Sequence, residues 1–82
     1  MKFKPGDRII SNSVLNDGSP RSLHYLYEVE ICGAIGYSLR IIEGGNPLNK
    51  GNLDNLSIKY VDDNYGLDVI SKRNKIIEDL LH

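Results

Sequence analysis

The stretch YEVEICGAIGYSLRII, residues 27–42, decides the fold class of this chain. Tyr27, Val29 and Ile31 alternate with Glu28, Glu30 and Cys32, a period of two built from aromatic and β-branched residues. Gly33 and Gly36 bracket a short turn. The alternation then resumes, with Tyr37, Leu39 and Ile41 on one face and Ser38, Arg40 and Ile42 on the other. Two strands joined this tightly form an antiparallel hairpin. Its core face is expected to carry Tyr27, Val29, Ile31, Tyr37, Leu39 and Ile41. Arg40 is expected to pair across the hairpin with Glu28 or Glu30, a contact worth roughly 0.2–1 kcal/mol.

Working outward, KFKPGDRIIS at residues 2–11 reads as a Pro-Gly-Asp turn followed by a first strand from about Asp7 to Ser11. NSVLNDGSPRS, residues 12–22, is rich in turn formers and reads as a long loop. EGGNPLNKGNLDN, residues 43–55, reads as a second loop. Asn46, Asn49, Asn52 and Asn55 suit it because asparagine tolerates turn conformations. LSIKYV at 56–61 reads as a fourth strand and GLDVI at 66–70 as a fifth. The period then changes. Ile76, Ile77, Leu80 and Leu81 form a helical stripe after a Ser71 N-cap. The expectation is a mainly β domain over 1–70 and a C-terminal helix over 71–82. Its interior would hold Ile9, Tyr27, Val29, Ile31, Leu39, Ile41, Ile58 and Val69.

With 82 residues there is room for one small core and little room for a deep cleft. A net charge of −1 gives no excess of cations for neutralising phosphates. The single cysteine, Cys32, excludes an internal disulfide and a multi-cysteine zinc site. No apolar run reaches the ~20 residues of a membrane span. Pro5, Gly6 and Asp7 interrupt the N-terminal stretch, so no secretory signal core is expected and the location is read as cytoplasmic.

Three segments resemble a known architecture. KFKPGDRII is similar to the opening of small SH3-like β-barrel proteins, whose first strand follows a Lys-x-Gly-Asp turn. YEVEICGAIGYSLRII resembles their central hairpin and YVDDNYGLDVI their closing strand. The resemblance spans residues 2–10, 27–42 and 60–70. It implies a five-stranded barrel with an appended helix, of the kind found in short phage and prophage proteins. It also implies a non-catalytic protein-binding role without cofactors, in the host cytoplasm. There the chain would inhibit a host enzyme or defence complex, as anti-CRISPR-type proteins do. The segment before the closing strand in such barrels is a tight helical turn. Asp62, Asp63 and Asn64 would occupy it and cap it through side-chain to backbone hydrogen bonds.

The candidate chemistry is sparse. Asp62-x-Asn64-x-Gly66 has the first spacing of a calcium loop but no glutamate at the closing position, so no metal is expected. A nucleophilic site would need Cys32 or a serine near His24 with a third orienting group. Cys32 lies about 26 Å along the strand from His24 at ~3.3 Å per residue, and enzymatic activity is not expected. Five tyrosines stand beside one phenylalanine and no tryptophan. Tyrosine serves at interfaces and barrel rims, where one end of the ring is dry and the other wet. Tyr25 and Tyr65 are therefore partner-binding candidates. Ile77 and Leu81 are candidates too, for a partner or a second copy in a homodimer. The alternative is a nucleic-acid-binding module using Lys59, Lys72, Arg73 and Lys75.

Overall fold

The structure, a computed structural model, describes residues 1–45, 47–69 and Leu80. It is mainly β: β1 (Arg8–Ser11), β2 (Leu26–Cys32), β3 (Gly36–Glu43), β4 (Leu53–Ser57) and β5 (Tyr65–Leu67) form one antiparallel sheet in the order β4-β3-β2-β1-β5. The first four strands form a meander, and β5 returns to pair with β1. The sheet is unclosed, and among the described residues no ladder joins β4 to β5. Two short helices, α1 (Asn12–Asp17) and α2 (Ile58–Asn64), complete the fold with 3₁₀ turns at Arg21–Leu23 and Pro47–Asn49.

One face of the sheet carries the core of Phe3, Ile9, Tyr27, Val29, Tyr37, Leu39, Ile41 and Val61, with Ile58 and Tyr65 packed against it. The hairpin register puts Val29 opposite Leu39 and Tyr27 opposite Ile41, as the alternation requires. The N-terminal turn extends the β1–β2 contact: Gly6 N–H donates to Val29 O and Val29 N–H to Asp7 O, each at 2.8 Å. Gly6 holds φ at +93°, a left-handed backbone that glycine adopts without steric cost. Arg40 chooses Glu30 (2.6 Å) as its ion-pair partner, and Glu28 faces Arg8 at 3.5 Å.

Several expectations need correction. Ile31 is not in the core; it is 59% exposed. The register steps from Val29↔Leu39 to Ile31↔Ser38, so Glu30 is an extra residue on β2. A bulge of this kind reverses the facing of every later residue in the strand. Ile31 turns out, and Cys32 turns in against the core, its Sγ donating to Phe3 O at 3.4 Å. Residues 12–17 are helical rather than loop. Ser11 Oγ accepts from Ser13 N–H to start α1, and Gly18 at φ +73° ends it. Six residues are too few to display a helical stripe, so the caps were the readable signal.

The fourth strand lies three residues earlier than LSIKYV implies, and Ile58 begins a helix. The apolar positions Leu56, Ile58 and Tyr60 alternate by coincidence across a strand–helix junction. Ser57 marks that junction by accepting the Tyr60 N–H at 3.3 Å. Val69 is 54% exposed: β5 ends at Leu67, and the bond after it, from the Asp68 N–H to Arg8 O at 2.8 Å, takes the chain to the end of β1. Asp68 is buried in its place, held by Arg21 in a forked ion pair. Of the predicted C-terminal helix only Leu80 is described, and it is exposed. Lys72, Arg73, Lys75, Ile77 and Leu81 lie outside the described residues. Among those described, no helix is long and apolar enough to cross a membrane.

Candidate protein-binding surface

Four tyrosine rings form a continuous row. Tyr25, just before β2, lies 5.7 Å from Tyr27 between centroids, two residues along and on the same face. Tyr27 lies 5.8 Å from Tyr65 at the start of β5, and Tyr65 6.1 Å from Tyr60 on α2. The last two contacts are edge-to-face, the arrangement ring quadrupoles favour. Elements far apart in sequence bring these rings together: β2 from the hairpin, and α2 and β5 from the chain's return to β1. The row runs from a buried centre to an open end. Tyr27 is buried, Tyr25 and Tyr65 are half-buried, and Tyr60 is 50% exposed.

Polar groups fix the row. Tyr27 Oη donates to Asp54 Oδ2 on β4 at 2.8 Å. Asn49 Nδ2 donates to Tyr25 Oη at 3.0 Å, so the asparagine-rich loop reaches back to the first ring. Gly45 lets the loop do so. Its φ is +62°, and a Cβ there would fall 2.4 Å from the Tyr25 ring. Burial, then the neighbouring Tyr60, pushes the Tyr65 phenol up to about 12. Burial and the Asp54 hydrogen bond raise Tyr27 as well. Tyr27 and Tyr65 therefore hold their protons at neutral pH, and the row is an apolar stripe with polar tips.

The acidic turn belongs to a different task. Asp62 Oδ1 accepts from Tyr37 Oη at 2.7 Å and from Lys2 N–H at 3.2 Å. Tyr37 Oη also accepts from Phe3 N–H at 3.2 Å and Lys2 N–H at 3.1 Å. Asp62 thus ties α2, β3 and the N-terminal arm together. The expectation that all three residues of the turn cap it is corrected: only Asn64 does so, with Nδ2 donating to Tyr60 O at 2.8 Å. Asp63 pairs instead with Lys59 at 3.4 Å on the helix surface. Among the described residues no three His, Cys, Asp or Glu side chains converge as a metal ion would need.

The structure therefore joins Tyr25 and Tyr65 through Tyr27, whereas Lys59 stands apart, 90% exposed on its side chain. Sequence reading missed Tyr60 as the open end of the row. Recognising Ser57 as an N-cap would have placed it on a helix. On the opposite face, Ile10, Leu26, Arg21, Ser22, His24, Glu43 and Gly44 line a cavity of about 270 Å³. Ser19 Oγ lies 2.9 Å from His24 Nε2 beside it. No carboxylate among the described residues orients that imidazole, so the pair lacks the third group of a nucleophilic triad. His24 lies before the start of β2 at Leu26, and Cys32 is at its far end. Compared with known proteins, the chain matches no family model, no curated relative and no solved structure.

Proposed function

We propose that this chain is a small non-catalytic protein-binding module of SH3-like barrel type, and that it binds through the row Tyr25–Tyr27–Tyr65–Tyr60. The reading is supported by that row more than by any other observation. It presents rigid aromatic area, graded from buried to exposed, at low entropic cost. The barrel assignment is supported by the strand order, the return of β5 to β1 and the helical turn directly before β5. In the phage or mobile-element setting implied by the resemblance, the partner is a host enzyme or defence complex in the cytoplasm. Occlusion of that complex, as by an anti-CRISPR-type protein, is the mode of inhibition. No cofactor enters this account.

Affinity capture from the native host, repeated with Tyr60→Ala, tests the reading. Tyr60 is half-exposed, so its loss leaves the core intact. The expected result is a discrete partner that binds wild type and is lost from Tyr60→Ala at unchanged melting temperature. A partner retained in full by Tyr60→Ala removes the row from the account. The nucleic-acid alternative, with Lys59 as its described cation, predicts affinity falling steeply with salt as counterions are released. The tyrosine row predicts a shallow dependence.

A further inference from the structure

The two edges of the sheet are unlike. At β5 the strand has three residues, and α1 packs on it so closely that a Cβ on Gly66 would lie 2.6 Å from Leu15 Cδ1. At β4 five residues pair with β3, and among the described residues no other strand joins them. Among the described residues, no backbone hydrogen bond outside the ladders reaches the other side of Leu53–Ser57. An open edge is a template for another strand, and proteins blunt such edges with lysine or proline. LDNLS contains neither, and its one charge, Asp54, is turned inward to Tyr27.

The direction of the peptide groups is set by the ladder. Ile41 N–H donates to Asn52 O at 2.9 Å, which makes 41–52 a hydrogen-bonded position. Antiparallel pairs alternate between bonded and non-bonded. Asp54 (opposite Leu39) and Leu56 (opposite Tyr37) therefore spend their peptide groups on β3. Leu53, Asn55 and Ser57 turn theirs outward. The close side-chain contact expected at a non-bonded pair is present between Ser38 Oγ and Asn55 Oδ1, at 2.7 Å.

We infer that a second copy of this chain pairs with β4, antiparallel, across a two-fold axis at Asn55. In this register Asn55 exchanges both of its backbone bonds with Asn55 of the second copy. Ser57 N–H donates to the Leu53 carbonyl of the second copy at each end. The Ser57 carbonyl is already committed as the N-cap of α2. Asp54 falls opposite Leu56 of the second copy, so no like charges meet. A shift that centres the axis on Asp54 would set two carboxylates face to face. A shift that centres it on Leu56 would drop Leu53 and run into α2. The edge is self-complementary in one register, and a net charge of −1 per copy opposes association little. Exposed Leu53 extends an outer face that already carries Ile31 and the 92% exposed Ile35. Pairing along one short strand buries less than a standard interface, so the dimer is weak and concentration-dependent.

Sedimentation velocity over a wide concentration range, with amide hydrogen exchange at each concentration, tests the inference. Wild type should shift from monomer to dimer. The Asn55 and Ser57 amides should gain protection with concentration, while those of Asp54 and Leu56 stay constant. Asn55→Pro removes an outward N–H without touching the β3 ladder, and should remain folded and monomeric throughout. Leu53→Lys, a charge on the edge, should weaken the dimer in the same direction. A wild type that stays monomeric at every concentration overturns the inference. So does a dimer that survives Asn55→Pro, or one that Ile77→Asp with Leu81→Asp abolishes while Asn55→Pro leaves it intact.

Discussion

Two buried tyrosines each reach an aspartate, and they do different things. Tyr37 Oη is saturated: it donates to Asp62 and accepts from the Lys2 and Phe3 N–H groups. Tyr27 Oη donates to Asp54, and its ring is flanked by Tyr25 and Tyr65. The first pair seals the N-terminal arm and α2 onto the core. The second anchors a stripe of rings that ends in solvent at Tyr60. The same side-chain chemistry thus closes the fold at one place and builds a surface at the other. The two differ in how many buried polar groups depend on the phenol.

That distinction sets the order of expected effects. Tyr37→Phe leaves the buried Phe3 N–H without its acceptor and removes a charge-assisted hydrogen bond from Asp62, whose Oδ1 keeps only the Lys2 N–H. It should cost roughly 2–4 kcal/mol in urea denaturation, because a buried donor left without a partner carries its full desolvation penalty. Leu39→Ala should cost a similar amount, about 2–4 kcal/mol, by leaving a cavity under the sheet. Arg21→Ala leaves the carboxylate of Asp68, 1% exposed, without its cation. The expected loss is roughly 2–3 kcal/mol, less than for a wholly buried pair because Arg21 is itself partly solvated. Tyr27→Phe should cost only about 1 kcal/mol, since half-buried Asp54 can turn to water. Equal losses for Tyr37→Phe and Tyr27→Phe would erase the comparison. Ile31→Ala should stay within ~0.5 kcal/mol of wild type, against about 2 kcal/mol or more for Val29→Ala. A large effect at Ile31 would remove the bulge from β2.

The hairpin was legible because its two strands carry an unbroken period of two and glycines at the turn. Every core position in it except Ile31 is readable from that pattern. One inserted residue, Glu30, leaves the composition of the strand unchanged and reverses only Ile31 and Cys32 beyond it. Residues 53–67 were illegible for a different reason. β4 is an edge strand of pattern Leu-Asp-Asn-Leu-Ser, too polar to read as a strand. The apolar alternation that did attract attention spans the β4–α2 junction. Of the tyrosine row, Tyr25 and Tyr65 could be named as rim residues, yet their connection through Tyr27 to Tyr60 depends on how β5 returns to β1. Long-range pairing of that kind leaves no local periodic trace.

Alkaline pH sharpens the comparison more gently. Burial raises the Tyr65 phenol to about 12, and Tyr27 and Tyr37 shift the same way. An unfolded tyrosine ionises near ~10. Between those values the folded chain keeps protons that the unfolded chain has lost. The contribution is therefore fully present below pH ~10 and is lost as pH rises towards 12. Melting temperature should fall through that window, and Tyr65→Phe should reduce the slope. A melting temperature that stays level up to pH 12 would mean that the rings are solvated.

Site-specific photocrosslinking tests the central claim, that the tyrosine row is the binding surface, most directly. A photoreactive phenylalanine analogue at Tyr60 sits at the exposed end of the row, and the same analogue at Leu23 sits exposed on the 3₁₀ turn, outside it. In host extract, the account predicts one discrete cross-linked species from position 60 and none from position 23. Cross-linking from position 23 with none from position 60 would contradict it.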